Sequence, residues 1–502
     1  MSDHLDYDAI IIGSGLGGLL CASTFCDEGL SVLVLEKNNQ LGGNLQIFKR
    51  DGVTFDTGVH YLGGLGEGQN LHRLFEYHGI LSDLKLDPMD PEGFDIISFD
   101  DDPQDYKWAQ GYERFIETLS SQFPGEQEAI KKYCAKIQEF CLRFPLYNLK
   151  EGELSMEGDL LSLNAQDFID SLTSNPTLRA VLAGNNLLYA GNPKKTPFYV
   201  HALVCNSYIL SAYRCVNGGG QIAQALAKKI RRKGGKLLRY RQVDQILSDG
   251  KKALGVTTTK GETFTAKHII SNLHPAMTFD LVEKGIRKAT RQRMKALENG
   301  ISAFSVHLVM KPESFPYLNH NRYHFKSANA WSAADYTQED WPRSYMLSVP
   351  AEGDDREYAH GLSILTYMRS EEMAPWKDSF NTIAATANRG EDYEQFKSQK
   401  AEKVLLELEK RYPGIQQSVQ SIYTSSPLSY RDYIGTPEGS MYGIEKDSRN
   451  PLSTMISGKT KLENLYLTGQ NLNLHGILGV SVSAFKTCSE IFGLPYLLNK
   501  IN

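Results

Sequence analysis

The 502-residue sequence has no large excess of either charge: 54 Lys and Arg stand against 59 Asp and Glu, a net charge of −5. Nucleic-acid binding draws on clustered cations that release phosphate counterions, and a scattered, slightly acidic balance offers no such footprint. Paired cysteines are also lacking. Cys21, Cys26, Cys134, Cys141, Cys205, Cys215 and Cys488 are odd in number and dispersed, with no C-x-x-C pair. That usage predicts reduced thiols and a cytoplasmic compartment. The 12 histidines form no His/Cys cluster at ligand spacing, so no metal is expected. Tandem repeats and low-complexity tracts are absent. A composition of 41% hydrophobic and 23% charged residues is that of a globular protein, with chain for roughly two to four domains.

Long uncharged runs are few, and most are poor membrane spans. Three stretches lack Asp, Glu, Lys and Arg: 9–26, 196–213 and 464–485. The first holds Gly13, Gly15, Gly17 and Gly18, which suit a turn. The third carries Gln470, Asn471, Asn473 and His475 in its middle, and buried amides would need partners in hydrocarbon. The segment 1–8 is acidic, unlike a secretory signal, and a first strand beginning by Tyr7 leaves no expected leader anchor. Only 196–213, TPFYVHALVCNSYILSAY, keeps a claim on a bilayer or an apolar ligand. Peripheral membrane contact is therefore expected there if anywhere.

What is present is concentrated near the N-terminus. The β-branched run Tyr7 to Ile12 leads into GSGLGG, with Gly13, Gly15 and Gly18 at G-x-G-x-x-G spacing. A helical pattern, Leu19, Leu20, Ala22 and Phe25, ends at Gly29, and a second strand, Ser31 to Leu35, ends at Glu36. In such a unit the first glycine permits the tight turn, the second admits a pyrophosphate to the backbone, and the third lets helix and strand pack closely. The helix N-terminus faces the phosphates. Glu36 falls where an acid accepts hydrogen bonds from a ribose diol. The spacing predicts an adenine dinucleotide.

Past Glu36 come Leu41, Gly42 and Gly43, then Phe55, Asp56, Thr57, Gly58, Val59, His60 and Tyr61. Here the sequence resembles the FAD-dependent amine oxidase and phytoene desaturase superfamily, and FDTGVHYLGG is most similar to its retinol saturase branch, near the carotenoid isomerases. The resemblance continues through 197–230, through Val243, through HIIS at 268–271 with Asn272, through YRDYIGTPEGSMYG at 430–443, and through LYLTGQNLNLHGILGVSVSA at 465–484. It spans nearly the whole chain, with the two ends more specific than the middle. It implies an α/β fold: a discontinuous Rossmann-like FAD-binding domain and a mixed α+β substrate domain with a helical cap. The implied FAD contacts are Gly13, Gly15, Gly17, Gly18, Glu36, Lys37, Gly42, Gly43, Asn44, Gly58, Val59, Val243, Gly469, Gln470, Gly479 and Val480. One departure stands out. Asn44 follows the double glycine where the desaturase-type pattern often has an arginine.

The motif positions place the FAD domain at 1–100, 201–290 and 425–502, and the substrate domain at 101–200 and 291–424. The helical pattern of 125–143, with Ile130, Tyr133, Ile137 and Phe140 on one face, belongs to the latter, as do strand-like runs at 304–310, 345–349 and 362–368. The acidic stretch Asp100 to Asp105 is expected as a solvated loop.

The cofactor carries the redox chemistry, and the protein positions the substrate and tunes the ring. The resemblance implies oxidoreduction at carbon-carbon double bonds of an apolar conjugated polyene, retinoid or carotenoid-like, chiefly saturation, with desaturation or isomerisation on the same scaffold as alternatives. His60 and Tyr61 are the candidates for proton transfer. No second G-x-G-x-x-G unit exists, so NAD(P)H would serve only as a transiently docking donor. Two rivals remain open: a prenyl- or lipid-binding protein on the FAD fold without catalysis, and an amine or amino-acid oxidase with a polar pocket. Direction of reaction and oligomeric state are not legible.

Overall fold

The computed structural model describes residues 5–154, 158–353, 356–382 and 389–501. Two seven-stranded sheets organise them. In the first, parallel strands run in the order Lys236–Leu238, Val32–Leu35 (β2), Tyr7–Ile12 (β1), Thr263–Ser271 and Leu465–Leu467. Ala253–Thr258 and Val243–Ser248 extend it as an antiparallel meander.

The sequence of β1 explains its place. Ala9 to Ile12 are buried on both faces, as strands of a covered parallel sheet are. Ile11 joins the core that holds the helix Leu16–Asp27 (α1), whereas Ile10 and Ile12 join a separate core with Phe279 and Val282. That split is the period-two alternation of a strand. Buried from Leu16 to Cys26, α1 packs between the sheet and the helix Gly476–Phe492.

The second sheet runs Val419–Ser425, Ser302–Met310, Gly361–Met368, Ser344–Ser348, Asn321–Phe325, Asp95–Phe99 and Asp102–Trp108. Its five interior strands are buried along their whole length, so both faces are covered. Asp95–Phe99, expected on the nucleotide side of a boundary at residue 100, instead pairs in parallel with Asn321–Phe325.

The acidic stretch is not a free loop either. Asp102–Trp108 folds back on Asp95–Phe99. Asp105 accepts a bidentate bond from Arg322 at 2.7 and 2.8 Å, and Asp100 pairs with His324 at 2.8 Å. These acids fell into a polar-run reading because their cations lie more than 200 residues away.

The run 196–213 forms the helix Phe198–Leu210, packed on Gln127–Leu142 and buried except for Val204, Tyr208 and the exposed Leu210. It is apolar because it is core, which removes it as a bilayer contact. Among the described residues no helix is long and apolar enough to cross a membrane.

Candidate cofactor and active site

A cavity of about 740 Å³ runs from the C-terminal ends of the first sheet to the inner face of the second. Its floor is built by the glycine turns. Gly13, at φ +90°, turns the chain from β1 into α1 with its N–H on the Leu35 carbonyl at 2.8 Å. Asn272, anchored by its N–H to the Ile12 carbonyl, fills the space beside three glycines. A Cβ on Gly15, Gly17 or Gly469 would lie 2.6, 2.7 or 2.6 Å from its carboxamide. Gly43 also approaches Gly15, with 3.1 Å from a Cβ to its Cα. A side chain at any of these positions would have to displace Asn272 or its neighbours, and the glycines leave bare backbone along the cavity wall. The first N–H groups of α1 have no intrahelical acceptor and open toward this wall.

Glu36 is buried at the end of β2. Its carboxylate accepts from the Ser14 N–H at 3.0 Å, the Ser14 hydroxyl at 2.5 Å and the Asn38 N–H at 2.8 Å. A carboxylate offers about four lone-pair positions, so capacity remains for a ribose hydroxyl. Lys37 lines the same end, but its Nζ donates to the Asp432 carbonyl at 2.7 Å, and burial lowers its pKa. Asn44 reaches Gln470 at 3.4 Å and packs on Gly58.

Sixteen of the eighteen anticipated residues line this one cavity: Gly13, Gly15, Gly17, Glu36, Lys37, Gly42, Gly43, Asn44, Gly58, Val59, His60, Tyr61, Val243, Gly469, Gln470 and Val480. Gly18 and Gly479 do not. A Cβ on Gly18 would stand 2.2 Å from the Gly13 carbonyl oxygen and 3.1 Å from Ile11; one on Gly479 would stand 2.8 Å from Leu474. Both are packing positions behind the wall.

At the far end His60 is half-buried against the cavity, and neither ring nitrogen has a hydrogen-bond partner among the described residues. Burial, assisted by the Arg214 charge, lowers its pKa to about 4, so the ring is neutral near pH 7. Tyr61 is arranged differently. Its ring lies 4.4 Å from that of Tyr208, while its hydroxyl donates to Asp95 at 2.9 Å and meets the Tyr323 hydroxyl at 2.7 Å. Asn321 donates to the other Asp95 oxygen at 3.0 Å and accepts from Arg214 at 3.1 Å. Burial pushes the Asp95 carboxyl up to about 7.

Sequence reading missed several of these groups. Asp95 carried no motif. Asp56 lay inside the F-D-T-G segment, yet its partner is the triple glycine: it accepts from the Gly219 N–H at 2.7 Å. Ser14, inside the glycine turn, signalled nothing until Glu36 was seen to hold it.

The charged lining residues gather at the Glu36 end. Lys37 and Arg431 both bind Asp432, the Arg241 N–H donates to the Glu36 carbonyl, and the helix Pro275–Leu281, which carries Asp280, packs beside Lys37 and Gly435 through Met277. The other end is lined by Leu187, Tyr208, Met346, Leu365, Met441 and Tyr442.

A glycine-lined wall at a helix N-terminus, a buried acid after the second strand and an apolar chamber beyond them fit an FAD-dependent oxidoreductase on an α/β fold of the amine oxidase type. The chain belongs to the flavin containing amine oxidoreductase family, which matches residues 16–491. It is similar to the all-trans-retinol 13,14-reductase of Danio rerio, 29% identical over 97% of this chain and 86% of the relative. The chloroplastic prolycopene isomerase of Daucus carota is 26% identical over 95% and 78%. Among solved structures, the cyclohexylamine oxidase of Brevibacterium oxydans shares the fold with a TM-score of 0.62 at 16% identity, covering 98% of this chain and 99% of that one.

Proposed function

We propose that this enzyme acts on carbon-carbon double bonds of an apolar conjugated polyene, chiefly as a saturase. The observation that carries this reading is the chamber wall of Leu187, Tyr208, Met346, Leu365, Met441 and Tyr442, which holds no charged side chain. An amine substrate would leave its cation unpaired there, at a cost of several kcal/mol. The name of the Danio rerio relative, an all-trans-retinol reductase, supports the same class.

The first sheet with its glycine turns is assigned to the cofactor, and the inner face of the second sheet to the substrate. Gly13, Gly15, Gly17, Gly42, Gly43 and Asn44 hold the pyrophosphate, Glu36 the ribose, Val243 the adenine, and Gly469, Gln470 and Val480 the flavin end. When bound, FAD supplies the hydride exchange with substrate carbon, and saturation then needs one proton. His60, neutral and unpartnered, relays it by accepting at one ring nitrogen and releasing from the other. Tyr61, with its hydroxyl held by Asp95 and Tyr323, is a positioning residue that fixes the chamber wall beside Tyr208. NAD(P)H docks transiently as electron donor.

Isomerisation is the second reading, supported by the name of the Daucus carota relative. Titrating a conjugated polyene and an aliphatic amine separately into the oxidised holoenzyme tests the class. Perturbation of the flavin spectrum by the polyene alone is expected, and perturbation by the amine alone would refute the reading.

A further inference from the structure

Lys446 is a buried lysine with no carboxylate partner among the described residues. Its Nζ donates to the carbonyls of Thr454 at 2.7 Å, Leu472 at 2.8 Å and Asn471 at 3.3 Å. The acids on either side of it are turned elsewhere: Glu445 binds Lys195 at 2.5 Å and Asn192 at 2.7 Å, and Asp447 binds Arg449 at 2.8 Å. The other titratable group near it, His475, is itself lowered to about 4 by burial and by the Lys446 charge.

The surroundings add to the positive potential. Gly469, Gln470 and Asn471 line the cavity immediately before Leu472, and the helix Gly476–Phe492 presents Gly476, Ile477 and Val480 at the same wall. The positive end of that helix dipole and the ammonium therefore reinforce one another. Three neutral carbonyls satisfy the ammonium's hydrogen bonds but not its charge, and burial pulls its pKa down to about 7. Preorganised positive potential of this kind stabilises a negative charge that develops beside it.

We propose that Lys446 is a positioning residue that sets the redox poise of the bound flavin. Held one residue behind the Gln470–Asn471 wall, it favours the reduced form produced by uptake of two electrons and one proton, which carries a net negative charge. The inference stands on FAD binding alone and is independent of which substrate the chamber takes.

The test is the flavin midpoint potential of Lys446→Gln and Lys446→Met holoenzymes, measured by stepwise chemical reduction against a reference dye. Glutamine keeps N–H donors for the carbonyls without the charge. At a fixed potential the reduced-to-oxidised ratio is expected to fall at least tenfold in both variants, a shift of about 30 mV for a two-electron couple. An unchanged potential in variants that retain FAD would show that the lysine merely locks the loop. Complete failure to bind FAD would place its charge on the oxidised cofactor. Either result overturns the proposal.

Discussion

The Tyr61 hydroxyl lies 2.9 Å from the Asp95 carboxylate, so a residue of the first glycine-rich region is tied to an interior strand of the second sheet. The bond lies behind the cavity wall that Tyr61 lines. Tyr61→Phe removes a donor from a buried acid, and a loss of about 1–3 kcal/mol in unfolding free energy is expected from denaturant titration. FAD content should stay full. Loss of turnover with unchanged stability would instead make the hydroxyl a reacting group.

Asp95 also predicts a pH effect of definite sign. Its folded carboxyl titrates at about 7, against about 3.9 when unfolded. The folded state thus binds the extra proton between these values, and that contribution is complete below pH 4 and lost as the pH rises through 7. Asp95→Asn should therefore gain relative to the parent between pH 5 and pH 8, by on the order of 2 kcal/mol. Thermal unfolding at both pH values checks this; a parent that gains on the variant would reverse the assignment.

His60 predicts a catalytic effect that outweighs its stability effect, because truncation costs some packing but no hydrogen bond. His60→Ala is expected to lower kcat about 100-fold or more while FAD absorbance is retained. With its pKa near 4, His60 introduces no inflection into the rate between pH 6 and 8. A variant with parental kcat would leave the ring a wall residue only.

Two glycines three bonds of one motif apart should fail differently. Gly17→Ala drives a Cβ toward the Asn272 carboxamide and the Gly469 backbone, both at the cavity, and is expected to lose FAD while the apoprotein still folds. Gly18→Ala strikes the Gly13 carbonyl oxygen behind the wall and is expected to destabilise the fold itself, by about 1–3 kcal/mol. Flavin content and thermal midpoint, measured on both, separate the roles.

The cofactor half of the cavity was legible because its chemistry is local: the glycines, Glu36 and their strands lie within a few dozen residues, and each type answers one steric demand. Gly18 packs behind the wall as the third glycine of the spacing implies, whereas Gly479 shows the limit, since nothing in its segment says whether it faces the cavity or packs on Leu474. The substrate half was legible only as a class. Asp95 is placed by a pairing with Asn321 more than 200 residues away, and Tyr208 arrives on a helix from another part of the chain to meet Met346 and Leu365, which no periodicity encodes. The run at 196–213 left a bilayer and an apolar ligand open because hydropathy reports that a helix is buried, not what buries it; protein covers most of it, and Tyr208 reaches the cavity.

The most direct test of the account is anaerobic turnover of the reduced holoenzyme with a conjugated polyene such as all-trans-retinol, followed by flavin absorbance and product mass. Reoxidation of the flavin with a product heavier by two hydrogens is predicted. A flavin that stays reduced and a polyene of unchanged mass, alongside an oxidised enzyme that releases peroxide from amines, would contradict it.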